Sequence, residues 1–95
     1  MIKHIVFFKL SKDGKLHQNE IITKLKNLKD DISFIVDLEV GKNFANEDRA
    51  CDISLIVTLK SKQDLQSYAT HEKHIPVVQF IKQYAVESKV VDYEI

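Results

Sequence analysis

The chain has one cysteine, one proline, two glycines and no tryptophan among its 95 residues, and no excess of charge of either sign. Each shortage closes a class of protein. Cys51 alone makes no internal disulfide, and without a second thiol there is no CxxC or zinc-ribbon spacing, so the chain reads as cytoplasmic. So little Gly and Pro excludes collagen-like and low-complexity chains. Fourteen Lys+Arg cancel fourteen Asp+Glu, which removes the electrostatic footprint of non-specific binding to nucleic acid or an anionic membrane. The apolar stretch near the N-terminus is interrupted by Lys3, His4 and Lys9 and is too short for a signal-peptide core or a membrane span. The expectation is one soluble domain over residues 1–95, with neither nucleic acid nor membrane as partner.

What is present is 44% hydrophobic and 29% charged residues, arranged with clear periods. Ile2, His4, Val6, Phe8 and Leu10 alternate with Lys3, Ile5, Phe7 and Lys9, which predicts a strand with apolar residues on both faces. Asp13-Gly14 signals a turn. Ile21, Ile22, Leu25, Leu28 and Ile32 then recur at helical spacing and predict an amphipathic helix from Asn19 to Asp31. Phe34 to Val40 reads as a second strand and Cys51 to Lys60 as a third, forming a hairpin whose long tip, Lys42 to Arg49, has no period. Ser61-Lys62-Gln63-Asp64 resembles a capping box and opens a short helix carrying Leu65, Tyr68 and Ala69. The helical region breaks near His74 and resumes at Pro76 with Val77, Phe80, Ile81 and Tyr84. Val86 to Ile95 is the last strand, with Val91, Tyr93 and Ile95 on one face.

This β-α-β-β-α-β order, its second helix split, predicts an α+β ferredoxin-like sandwich: a four-stranded antiparallel sheet with the helices on one face. The other face carries Ile5, Phe7 and Ile56, where a sheet exposed on one side would be polar. A chain this short buries only about two-thirds of its unfolded surface, and covering that apolar face with a second copy would bury more. A two-fold homodimer through the sheet face is therefore expected.

Four stretches together resemble the stress-responsive A/B barrel domain (Dabb) family of the dimeric α+β barrel superfamily. They are Ile2 to Leu10, Leu38-Glu39-Val40-Gly41, the segment Leu65 to His74, and Val91-Asp92-Tyr93-Glu94. The resemblance spans almost the whole chain and implies a ferredoxin-like protomer whose sheet pairs with its mate's into a dimeric α+β barrel. The family includes plant stress proteins with no assigned reaction. It also includes polyketide cyclases that use a histidine and a tyrosine, without metal or cofactor, for an intramolecular aldol condensation. Carried over, the cyclase histidine falls on His74, its tyrosine on Tyr68, and the first-strand histidine on His4. The cyclases add an aromatic hydroxyl in the first helix, and Asn19 to Asp31 has none.

The residue chemistry agrees with those roles. An imidazole titrates near pH 6.5, so His74 is suited to take a proton near neutrality, and the Tyr68 hydroxyl to hold a developing enolate oxygen. His4 would orient the ligand or Tyr68; Val6 and Phe8, on the same strand face, and His71 would complete the ligand contacts. The plainer alternatives are a hydrogen-bonded core histidine at position 4, a core tyrosine at 68 and a capping or solvent-facing His74. His71 and His74 share a helical turn, but His-Glu-Lys-His is not a zincin motif and has no third ligand in reach, so no metal and no cofactor are expected. Cys51 reads as a small buried residue, not a nucleophile. The third strand lacks the basic and stacking residues of an RNA-reading sheet. Three functions remain open: cofactor-free acid/base chemistry on a small apolar carbonyl compound, a non-catalytic stress or structural dimer, and a cofactor-independent monooxygenase.

Overall fold

In the computed structural model, which describes all 95 residues, the N-terminal alternation forms the strand β1 (Ile2–Leu10). Ile2, Val6 and Leu10 are buried on one of its faces, and His4 and Phe8 share that face. The Asp13-Gly14 signal belongs to a one-turn helix, α1 (Lys12–Leu16), and not to a simple turn. Ser11 caps it, its Oγ accepting from the Gly14 N–H at 2.9 Å. Gly14 lets this turn press on the chain further on: a Cβ there would stand 2.5 Å from the Tyr84 carbonyl oxygen. That same oxygen accepts from the Ser11 N–H at 2.8 Å, so it has nowhere to retreat. Gly14→Ala is expected to cost about 1–3 kcal/mol of overpacking, read as a lowered urea midpoint.

The helix α2 (Gln18–Asp31) buries Ile21, Leu25 and Leu28, the stripe anticipated from spacing. The strand β2 (Asp37–Lys42) starts later than Phe34 and runs through Gly41, because residues 32–36 are used in leaving the helix. Ile35 bonds back to Ile32, and the Val36 N–H then reaches the Thr58 carbonyl at 2.9 Å, which starts the pairing. The strand β3 (Ile53–Leu59) begins after Cys51. Asp52 stands just before it, its N–H donating to the Phe8 carbonyl at 2.8 Å and its carboxylate accepting from the Leu10 N–H at 2.7 Å. The helix α3 (Lys62–Ala69) opens on Ser61, whose Oγ accepts from the Asp64 N–H at 3.1 Å. The helix α4 (His74–Lys82) starts two residues before Pro76, which sits in its first turn and gives up no needed hydrogen bond there. The strand β4 (Ala85–Glu94) closes the chain.

The sheet is antiparallel, in the order β2-β3-β1-β4, with the helices on one face: a ferredoxin-like α+β fold. Its core joins α2 to β1 and β3 through residues such as Leu25, Leu28, Val57 and Leu59, with Tyr68 of α3 among them. Register sets what shares a row. His4 lies between Val57 and Asp92 on the helix side, and Ile5 between Ile56 and Val91 on the outer side. The outer face leaves Phe7, Val91 and Tyr93 exposed, at 47%, 57% and 45%. No helix is long and apolar enough to cross a membrane.

Candidate functional site

Three of the residues singled out from sequence come from three elements and meet. Tyr68 sits in the last turn of α3, where its ring completes the core and is only 1% exposed. The chain then breaks: the His71 N–H bonds to the Tyr68 carbonyl at 3.2 Å, and the His71 carbonyl takes the N–H groups of His74 and Ile75 at 2.9 and 3.1 Å. This tight turn restarts the helix at His74 and folds its ring back over Tyr68, with centroids 4.3 Å apart. From the sheet, His4 approaches the same tyrosine edge-on, at 5.7 Å and 64°. His71 faces elsewhere. Its Nδ1 accepts from the Lys73 N–H at 3.1 Å and its ring lies 5.9 Å from Phe34. Val6 is buried beside His4 on the strand and Phe8 packs half-buried against the core.

Hydrogen bonding assigns the protons. A carbonyl oxygen only accepts, so the 3.0 Å contact between His74 Nδ1 and the Ala69 carbonyl makes Nδ1 the donor and leaves the lone pair of the neutral ring on Nε2. Burial lowers the pKa of His74 below the usual histidine value. The bond to Ala69 opposes the shift, and the nearby His4 and His71 add to it. His4 Nδ1 lies 2.5 Å from Asp92 Oδ1, a pairing that fixes the ring as a histidine–carboxylate dyad does. Asp92 is a site residue that no sequence motif marks. Its signal was available in the antiparallel pairing of the first and last strands, which sets Asp92 opposite His4.

Tyr68 is the anomaly. Its hydroxyl is buried and has no hydrogen-bond partner, whereas buried polar groups are nearly always paired. Burial also raises its pKa far above the ordinary phenol value, so it is a donor and never an anion near neutrality. The cluster thus presents one acceptor nitrogen on His74, one unused hydroxyl on Tyr68 and one imidazole held by a carboxylate. No three His, Cys, Asp or Glu side chains converge as a ligand set. Two clefts lie elsewhere. One of about 380 Å³ runs between Phe7 and the Lys42–Arg49 loop, and one of about 260 Å³ between α4 and β4.

The family described as the stress responsive A/B barrel domain matches residues 2–95. No curated protein matches the chain. Among solved structures, a Bacteroides fragilis protein, described as dimeric, of unknown function and ferredoxin-like in fold, is 30% identical. The match covers 99% of this chain and 95% of that one, with a TM-score of 0.87. A hydroxynitrile lyase from Passiflora edulis is 19% identical over 99% and 92% of the two chains, with a TM-score of 0.86. A Dabb family protein with a ferredoxin-like fold from Mesorhizobium loti is 16% identical over 99% and 95%, with a TM-score of 0.82.

Proposed function

Because the chain belongs to the stress responsive A/B barrel domain family, we propose that it is a homodimer, joined through the outer face of its sheet, that does cofactor-free acid/base chemistry on a small, largely apolar carbonyl compound held beside His4, Tyr68 and His74. The observation that carries this reading is the Tyr68 hydroxyl, buried with nothing to bond, on a ring that packs against two imidazoles. A ligand carbonyl would accept from it. His74 Nε2 then takes a proton from the carbon beside that carbonyl. The electron pair of the broken C–H bond moves onto the oxygen, which Tyr68 stabilises through its O–H, and the proton is afterwards returned from His74. The two shifts suit the two roles, since a lowered histidine pKa keeps the base unprotonated at neutrality and a raised tyrosine pKa keeps the donor protonated. Asp92 holds His4, which would orient the ligand, with Val6 and Phe8 on the same strand face behind it; His71, turned toward Phe34, is left out of the site. The description of the Bacteroides fragilis protein as dimeric supports the assembly. The Passiflora edulis hydroxynitrile lyase supports the reading that this fold hosts enzymes.

A second reading, a non-catalytic structural dimer, is favoured by one fact: the clefts beside the Lys42–Arg49 loop and between α4 and β4 are lined by none of His4, Tyr68 and His74. Spectra of histidine-labelled protein titrated with small ketones separate the two. The proposal expects the His74 and His4 resonances to move together, and the response to vanish in His74→Ala. A flat titration for every ketone favours the structural dimer.

His74 also makes stability depend on pH. Between its lowered folded pKa and about 6.5, the unfolded chain takes up a proton that the folded ring refuses. The contribution is complete above that window and is lost as pH falls through it. Urea midpoints from pH 8 to 5 should fall below pH 6.5, and His74→Gln should flatten that part of the curve. An unchanged slope in the variant would mean the ring is not shielded as described.

A further inference from the structure

One cation on the outer face of the sheet has no counter-charge in its own chain. Lys3 projects to that face from β1, and its Nζ donates to Thr58 Oγ1 on β3 at 2.8 Å. β1 and β3 are the two inner strands of the sheet, so this bond holds the ammonium between them and away from both edges. A hydroxyl satisfies one donor and none of the charge, and Lys3 is in no ion pair. Tyr93 flanks it in its own row, and Ile5 and Ile56 fill the next. A partner that covers this apolar surface therefore encloses the ammonium, and a charge enclosed without a counter-charge is strongly destabilising. Whatever covers the face must bring a carboxylate.

The chain itself carries two. Register places Asp37 in the row of Thr58 and Lys3, and Glu39 in the row of Ile56 and Ile5, so both lie on the outer face along the edge strand β2. Both are exposed and neither is in an ion pair. The other charges of the face are Lys9, Lys89 and Glu87, the last two bonded to each other at 3.2 Å. Cations and carboxylates thus balance, and two identical faces do not repel as wholes.

We infer that the outer face recognises a second copy of this chain by reciprocal charge pairing, the Lys3 ammonium of each protomer meeting the Asp37 and Glu39 edge of the other. A two-fold contact repeats itself, so one complementary pair supplies two. The inference rests on the reading of the assembly as a sheet-face dimer and adds what makes that face selective. The apolar row supplies area, while the charges fix how the two sheets are set and reject an apolar surface that brings no carboxylate.

Charge reversal in two separate proteins tests it. Lys3→Glu sets a carboxylate against the partner's acidic edge, and Asp37→Lys/Glu39→Lys sets ammonium groups against the partner's Lys3. Each protein alone is expected to dimerise about a hundred-fold or more weakly than the wild type and to sediment at 11.0 kDa at micromolar concentration, with an unchanged circular dichroism spectrum. Mixed in equal amounts they should form a heterodimer, because in the mixed pair both contacts again join opposite charges. Asp30→Lys/Asp31→Lys, the same change of charge on the exposed end of α2, should leave the dimer intact; a dimer lost there as well would trace the effect to net charge and overturn the pairing. Should Lys3→Glu fail to fold, the edge variant, altered only at exposed positions, still has to lose the dimer. If the wild type is a dimer and either folded variant stays one, or the mixture does not recover it, the charge pairing is wrong and the sheet-face assembly stands. If the wild type is a monomer, both fall.

Discussion

Tyr68→Phe is expected to make the protein more stable and unable to hold its ligand. The substitution removes one oxygen atom and leaves the ring, which packs in the core at 1% exposure. That oxygen is buried without a partner, and an unsatisfied buried hydroxyl costs about 1–3 kcal/mol, so a gain of that order should appear in the urea midpoint. The ring itself is a different matter. Tyr68→Ala should lose about 3–5 kcal/mol, as large-to-small core changes do. The same Tyr68→Phe protein should show no ketone-induced movement of His74, because the donor to the carbonyl is gone. A residue that weakens the fold in order to hold a free donor is placed for function. The opposite result, a Tyr68→Phe protein about 1 kcal/mol less stable, would mean the hydroxyl is bonded within the fold and would remove the main support for the site.

Much of this arrangement was legible in the residues, and what was not has physical reasons. The strand around His4 was readable because period-two alternation decides which side chains share a face, and so His4 was expected toward the helices, where it lies. The stripe Ile21, Leu25, Leu28 was readable for the corresponding reason on a helix. The short helix at Lys12–Leu16 was not, because Asp-Gly is a turn signal locally and the use of Gly14 here is a contact with Tyr84, seventy positions on in the chain. Phe34 looked like a strand residue, but its segment is consumed in leaving α2, and only hydrogen bonding to Thr58 reveals where pairing starts. The histidine and tyrosine of the cluster were named from the sequence, yet their meeting depends on the His71 turn that folds His74 back over Tyr68. Asp92 is the instructive omission. A lone Asp on a terminal strand carries no signal until the register between first and last strands is considered, and that register is a property of the whole sheet.

The outer face of the sheet leads to the second large effect. Val91→Glu should convert a dimer to a monomer without unfolding it. Val91 lies in one row with Ile5 and Ile56 and is 57% exposed in the single protomer, so a carboxylate there stays hydrated when the chain is alone. In a two-fold assembly through this face the same carboxylate would be buried opposite apolar residues, at roughly 3 kcal/mol or more for an unpaired charge. Symmetry places it twice in each dimer, so the dissociation constant should rise about ten-thousand-fold. Light scattering at micromolar concentration should then report 11.0 kDa in place of twice that mass, with an unchanged circular dichroism spectrum. Lys9→Gln, an exposed polar position at the end of the same strand face, should leave the dimer intact. A wild-type protein that scatters as a monomer, or a Val91→Glu protein that stays dimeric, would exclude this face as the interface. The monomeric variant also answers a question about the site. His4, Tyr68, His74 and Asp92 all come from one chain and lie on the opposite side of the sheet from Val91, so ketone binding should persist in it. Assembly would then serve to cover apolar surface and stabilise a small core, while the chemistry of each protomer stays complete in itself.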